Sequence, residues 1–236
     1  MSSKLTKLLT PLDNQRDLSD DIFPNKPFNM ALIGPKGCGK SSLLLNLLIK
    51  KGSPLYKRFN LIFLISPTCA KDEKMHQLMD DIGQDQIFEE LTQDVLEHII
   101  NTINFHKENY NRKNPEYCII YDDCIHFLKQ KNNNKKLSEL FTQNRHYKLS
   151  NIILLQKWSG YMPTIIRCNL DCLAIYKLQS KKEEENVIEE LNGNEDELKL
   201  LYQIATDEPF SFLFINQYLP NRTRYYKRFD LLFQNY

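Results

Sequence analysis

Hydrophobic positions in this chain fall into short unbroken runs, separated by segments in which apolar residues recur every three or four positions. Residues 30–33, 59–66, 117–121, 151–155 and 170–178 are apolar on both faces, which predicts strands buried on both sides. Pro67 ends the second run. Residues 43–49 continue from the first strand without Gly or Pro and stop at Lys50-Lys51-Gly52, a helix ending in two cations and a glycine. Between 87 and 105, Leu91, Val95, Leu96, Ile99, Ile100 and Ile103 keep helical spacing, which predicts one or two helices. A helix ending near Tyr147, a short one over 163–168 and one or two charged amphipathic helices over 181–205 follow. Residues 210–215 and 225–229 predict a closing hairpin. Strands alternating with helices predict a three-layer α/β domain, its sheet mainly parallel with helices on both faces.

Residues 1–27 break this rhythm. Asp13, Asp17, Asp20 and Asp21 and the prolines at 11, 24 and 27 predict an irregular arm, leaving 28–236 as one domain with C-terminal helices and the hairpin. A chain of 236 residues with 42% apolar and 11% aromatic content suffices for a single packed core. The net charge of +1 excludes a general polycation, so any nucleic-acid contact must come from local patches. Six cysteines without a C-x-x-C pair argue against a zinc site or a disulfide framework and fit a reducing compartment. No apolar run approaches the roughly 18 residues of a membrane span, and no signal-peptide core is present, so an intracellular protein without an integral membrane segment is expected.

The candidate chemistry begins at Gly34-Pro35-Lys36-Gly37-Cys38-Gly39-Lys40-Ser41-Ser42, a full G-x-x-x-x-G-K-[ST] pattern between a predicted strand and a predicted helix. Successive backbone N–H groups must wrap a polyphosphate, and a Cβ at the closest points would block them. The helix start adds its partial positive charge. Lys40 would reach the outer phosphates of ATP, and Ser41 would take one position on Mg²⁺. The third strand ends in Asp122-Asp123, where Asp122 would hold Mg²⁺ and Asp123 would polarise the attacking water. Gln156 closes the fourth strand in the same way, with an amide able to accept from water and donate to the γ-phosphate. Arg145 and Arg167 are candidates for an arginine supplied in trans within a ring of subunits, Arg145 preferred.

Together these residues resemble a family. Residues 34–42, the Ile119-Ile-Tyr-Asp-Asp123 strand, Arg145-His146, residues 151–156 and the Pro163-x-x-x-Arg167-x-Asn169 string look like the genome-packaging ATPases of large DNA viruses and virophages, of the FtsK–HerA class of DNA translocases. The resemblance covers roughly residues 28–180. It implies a RecA-like P-loop ATPase of the additional-strand, catalytic-acid type, with an added strand between the two Walker strands. Gln156 would sense the γ-phosphate and Arg145 would be the trans finger. The working form would be a pentameric or hexameric ring of identical subunits, threading double-stranded DNA into a preformed capsid at its vertex or portal proteins. Its place would be the viral factory in the host cytoplasm, with transient residence at the virion vertex. Asp123 departs from the Glu of many members of the wider class, and no separate nuclease domain is expected. DNA would be held by Lys129, Lys131, Lys135 and Lys136, with Arg222, Arg224, Lys227 and Arg228 as a second choice. Two other readings keep the P-loop: a nucleotide-gated assembly factor without turnover, and a DNA pump for mobile-element transfer. A small-molecule kinase fits less well, because the arginines do not cluster into a lid.

Overall fold

The computed structural model describes residues 22–110, 114–124, 127, 134–160, 162–191, 193–220 and 223–232. The first half runs β1 (Asn29–Ile33), α1 (Lys40–Ile49), β2 (Leu61–Ile65), α2 (Glu73–Asp81), β3 (Ile87–Phe88), α3 (Gln93–Asn109) and β4 (Tyr117–Asp122). The second runs α4 (Asn134–Thr142), α5 (Asn144–Tyr147), β5 (Leu149–Leu155), α6 (Thr164–Arg167), β6 (Cys172–Tyr176), α7 (Lys181–Glu190), α8 (Glu195–Ala205), β7 (Phe212–Asn216), β8 (Tyr225–Lys227) and β9 (Asp230–Leu231).

All nine strands join one sheet in the order β3-β2-β4-β5-β1-β6-β7-β8-β9. The pairings from β3 through β6 are parallel, and β7, β8 and β9 add antiparallel. β5 lies between β1 and β4, hydrogen-bonded to both, as the added strand of the resemblance should. Successive residues of β1 feed two separate cores, because side chains alternate across a strand. Ala31 and Ile33 pack with α3, α4, α7 and α8 on one face; Met30 and Leu32 pack with α1 and α2 on the other.

Three sequence expectations change. Residues 87–105 are not all helix: Ile87 and Phe88 form a short parallel edge strand on β2, and α3 starts only at Gln93, after the Thr92 hydroxyl accepts from Val95 N. The hairpin's first strand starts at Phe212 and not at 210. Phe210 lies outside it, 52% exposed, with φ +60°. Helix α2 was not anticipated; it is polar, with only Met75 and Leu78 buried, and it starts because Asp72 caps Lys74 N. Residues 1–21 of the predicted arm lie outside the described residues. Its end docks: Phe23 is buried against the rings of Phe28, Phe214 and Phe229. Among the described residues no helix is long and apolar enough to cross a membrane, and all six cysteines are free thiols.

The amino edge of the sheet is fixed by buried amides. Asn151 Nδ2 donates to Asn29 Oδ1 (2.8 Å) and to Leu140 O (3.1 Å), while Asn29 Nδ2 donates to Phe141 O (2.9 Å) and Asn169 O (2.7 Å). Tyr121 OH donates to Asn151 Oδ1 at 3.2 Å. Leu140 and Phe141 stand in the last turn of α4, so two side chains of the sheet satisfy carbonyls that the helix itself leaves open. Asn151→Ala strands these partners in a dry site. A loss of about 2–4 kcal/mol is expected, read as a lower urea midpoint at unchanged slope; a midpoint within error of the parent would refute the network's role.

Candidate functional site at the carboxyl edge

The parallel register carries the ends of β1, β4 and β5 to one edge, where ligands sit in open α/β sheets. The loop after β1 is anchored there by Gly34 N donating to Leu155 O (3.0 Å). Only glycine fits at 34: a Cβ would lie 2.7 Å from both Cys38 Sγ and Tyr176 Cβ. Gly39, at the N-cap of α1, has φ +109°, in the left-handed region that favours glycine. No side chain caps α1 and its first turn holds no acid, so its free N–H groups face the loop without competition from the chain's own carboxylates. Lys40 Nζ reaches into the loop, donating to Gly34 O (2.6 Å) and Pro35 O (2.9 Å).

Lys36, Gly37, Gly39, Lys40, Ser41 and Ser42 line a cavity of about 900 Å³; Gly34, Pro35 and Cys38 form the back of the loop and are not in its wall. Asp122, Asp123 and Gln156 line the same cavity. Two adjacent residues on a continuing strand would face opposite ways. Here β4 ends at Asp122 and Asp123 turns left-handed (φ +52°), which brings both carboxylates to one side. Gln156 Nε2 donates to Asp123 Oδ1 at 3.0 Å, so the ends of β4 and β5 are tied side chain to side chain. Ser66, buried at the end of β2, donates to Asp122 Oδ2 (3.4 Å).

Burial pushes the Asp122 carboxyl up to about 6, with the charges of Asp123 and Asp72 adding to the rise; Lys40 and the Ser66 hydrogen bond oppose it. Among the described residues no cluster of three carboxylate, His or Cys ligands forms a protein-only metal cage. Mg²⁺ does not need one, since it keeps waters and takes substrate phosphates beside one or two protein oxygens. Ser41 and Asp122 offer oxygen alone, a donor set that suits this hard cation.

Arg145 and Arg167 are not in this cavity. Arg145 sits in α5, just before β5, so the length of that strand separates it from its own loop by roughly 20 Å. It donates to Tyr218 OH and lies over that ring, 5.7 Å from the centroid. Arg167 pairs with Glu190, donates to Thr164 Oγ1 and lies over Trp158. Of the predicted DNA-binding lysines, 129 and 131 fall outside the described residues. Lys135 is exposed at the start of α4, and Lys136 pairs with Glu139 (3.2 Å). In the second group Arg222 is outside the description, Arg224 donates to Leu219 O, and Lys227 pairs with Asp207 and Glu208. Arg228 lines the nucleotide-sized cavity instead. Sequence reasoning did not find Asp72, Lys74, Tyr176, Phe210 or Phe212, which also line it; Lys74 Nζ donates to Ser42 Oγ at 3.1 Å. A capping Asp ahead of Met75 and Leu78 was the one local signal for the first two.

A family model described as "Poxvirus A32 protein" matches residues 16–207, most of the chain. No curated protein matches. Among solved structures, the genome packaging NTPase B204 from Sulfolobus turreted icosahedral virus 2, in complex with AMP, superposes with a TM-score of 0.60 at 19% identity, over 83% of this chain and 95% of that one. The cytoplasmic domain of the type VII secretion ATPase EccC from Thermomonospora curvata gives 0.54 at 16%, over 84% of this chain and 23% of that one. The pCW3 conjugation coupling protein TcpA, solved with ATPγS, gives 0.53 at 13%, over 80% and 57%. At these identities the superpositions establish the fold, that of the P-loop ATPases.

The Asp122 shift has a consequence for stability. Its folded-state pKa lies above the ordinary 3.8, so folding takes up a proton between roughly pH 4 and 6. Metal-free stability therefore falls as pH rises through that window and is level above it. About two pKa units, discounted for partial exposure, correspond to ~1–3 kcal/mol. Asp122→Asn should raise the melting temperature of chelator-treated protein near pH 7 and leave it unchanged near pH 4. An equal gain at both values would show that charge is not the cause.

Proposed function

The chain belongs to the Poxvirus A32 protein family, and from that premise we propose that it is an ATP-driven pump moving double-stranded DNA into a preformed viral capsid. It is an ATPase of the viral packaging class with a P-loop fold. The observation that carries the residue roles is the single cavity shared by the loop, Asp122, Asp123 and Gln156.

In this reading the loop's N–H groups and Lys40 hold the triphosphate, and Ser41 and Asp122 hold Mg²⁺, which when bound would offset charge on the outer phosphates. Asp123 accepts the proton of the attacking water. Its hydrogen bond from Gln156 supplies a control: an amide drawn off to the γ-phosphate releases the carboxylate oxygen it occupied, so the base is freed when the nucleotide is in place. Lys74, joined to Ser42 Oγ, adds a second cation near the same phosphates. Arg145 acts on a neighbouring subunit. The sheet's length keeps it from its own cavity, while Tyr218 holds it at the opposite edge, where a ring neighbour would meet it. Arg167, engaged by Glu190, is the weaker candidate. The ring would be a pentamer or hexamer docked on capsid vertex or portal proteins in the cytoplasmic viral factory, with the lysines around 129–136 tracking the DNA backbone without reading sequence.

The test is ATP turnover with and without duplex DNA over a salt series. Stimulation by DNA that weakens as salt rises is expected. Lys40→Ala and Asp123→Asn should lower kcat at least about a hundredfold. Arg145→Ala should poison mixed rings, with activity falling faster than its share of the subunits, as expected for an arginine worth ~10³-fold or more in trans. Turnover indifferent to DNA at every salt concentration would remove the pump and leave the ATPase. Activity falling only in proportion to the Arg145→Ala share would remove the trans role.

A further inference from the structure

The cavity has two chemically different ends, and the strand order explains them. β4 and β5 lie on one side of β1 and bring carboxylates and the Gln156 amide; β6 and β7 lie on the other and bring Tyr176, Phe210 and Phe212. A triphosphate in the loop therefore has an acidic, metal-binding side and an aromatic side. Phe210 is the part of the aromatic side that solvent reaches, 52% exposed, and its φ of +60° is a conformation phenylalanine rarely adopts. Its ring edge stands 3.4 Å from where a Cβ on Gly39 would be, beside the last glycine of the loop. Tyr176 and Phe212, with ring centroids 5.0 Å apart, form a buried backing.

Arg228 completes this end. Its backbone N donates to Phe212 O (2.8 Å), which holds it at the start of β7. One guanidinium nitrogen reaches Glu208 at 3.4 Å, while Nε is buried without a hydrogen-bond partner. The side chain also lines the cavity and is 22% exposed, so guanidinium N–H groups that Glu208 does not take are within reach of a ligand there.

We propose that this end is the nucleobase subsite, in which Phe210 stacks on the base and Arg228 donates to its acceptor edge. The subsite rests on the ATPase reading above. Ring stacking needs no particular base, and a guanidinium only donates. Adenine and guanine both present ring-nitrogen acceptors, so the subsite separates nucleoside triphosphates from bare triphosphate better than it separates ATP from GTP.

Calorimetric titration of the full chain with ATP, GTP and inorganic tripolyphosphate, each with excess Mg²⁺, tests this. Phe210→Ala, at an exposed position that tolerates truncation, should weaken ATP and GTP by roughly 5- to 150-fold and leave tripolyphosphate unchanged. Phe210→Trp should keep parental affinity for both nucleotides. ATP affinity unchanged in Phe210→Ala, or ATP and tripolyphosphate weakened by the same factor, would overturn the subsite. So would parent protein that binds tripolyphosphate as tightly as ATP, which leaves the phosphate site standing. Parent protein that binds none of the three would overturn the ATPase reading and the subsite with it.

Discussion

The parallel register of β1, β4 and β5 is the constraint on which the rest depends. Asp122 pairs with Leu154 across β4 and β5, and Ile33 with Leu155 across β5 and β1. Three strands ending within one residue of each other leave three different loops at one edge. Without that alignment the glycine loop, the carboxylate pair and Gln156 would not share a cavity. A one-residue slip of β5 would exchange Ile152 and Leu154 with Ile153 and Leu155 between the two cores and leave both faces apolar. Because apolar burial on both faces is non-directional, it cannot alone choose a register. The directional choice falls to the Asn29–Asn151 pair, whose amides meet only when these two residues are opposite each other.

The site gathers charge of both signs in separate places. Asp72, Asp122 and Asp123 gather where burial already disfavours the ionised form of Asp122. On the loop side, N–H donors and Lys40 gather with no acid among them. Each half is strained in the sense a ligand relieves: a polyanion suits the loop and a cation suits the acids. Mg·ATP, as proposed, would bring both. The hydrogen bond from Gln156 to Asp123 sits on the border between the halves.

Much of this was legible in the sequence, and the reasons are local. The glycine spacing is dictated by close approach, so it survives as a pattern; the clash a Cβ at 34 would make with Cys38 and Tyr176 is that dictate in atomic form. Strands buried on both faces read as apolar runs, and β1, β4, β5 and β6 fell where the runs were. What stayed hidden depends on tertiary contacts. Helix α2 has two buried residues in nine and no apolar stripe to announce it. β3 is two residues long and borrows its conformation from β2. Phe210 looked like the first residue of a strand, because an aromatic beside apolar neighbours reads that way; only its left-handed backbone and its place beside Gly39 mark it otherwise. Arg228 looked like one of a basic group near the C-terminus, and no local signal ties it to a loop far earlier in the chain.

The two edges of the sheet carry different groups. The carboxyl edge holds what binds a nucleotide; the amino edge holds Arg145, and the contacts there run back into the strand that carries the loop. Arg145 donates to Tyr218 OH, Tyr218 is hydrogen-bonded to Asp171, and Asp171 Oδ2 accepts from Asn29 N, the first residue of β1 (2.8 Å). Lys26 covers the same Tyr218 ring at 4.1 Å. Five residues of β1, all buried, lie between that hydrogen bond and Gly34. A central strand flanked by β5 and β6 moves with its neighbours or not at all, so a displacement at the amino edge would reach the loop through a rigid element. In the proposed ring each Arg145 would meet the next subunit's nucleotide, and one sheet would then join two sites without a dedicated linker.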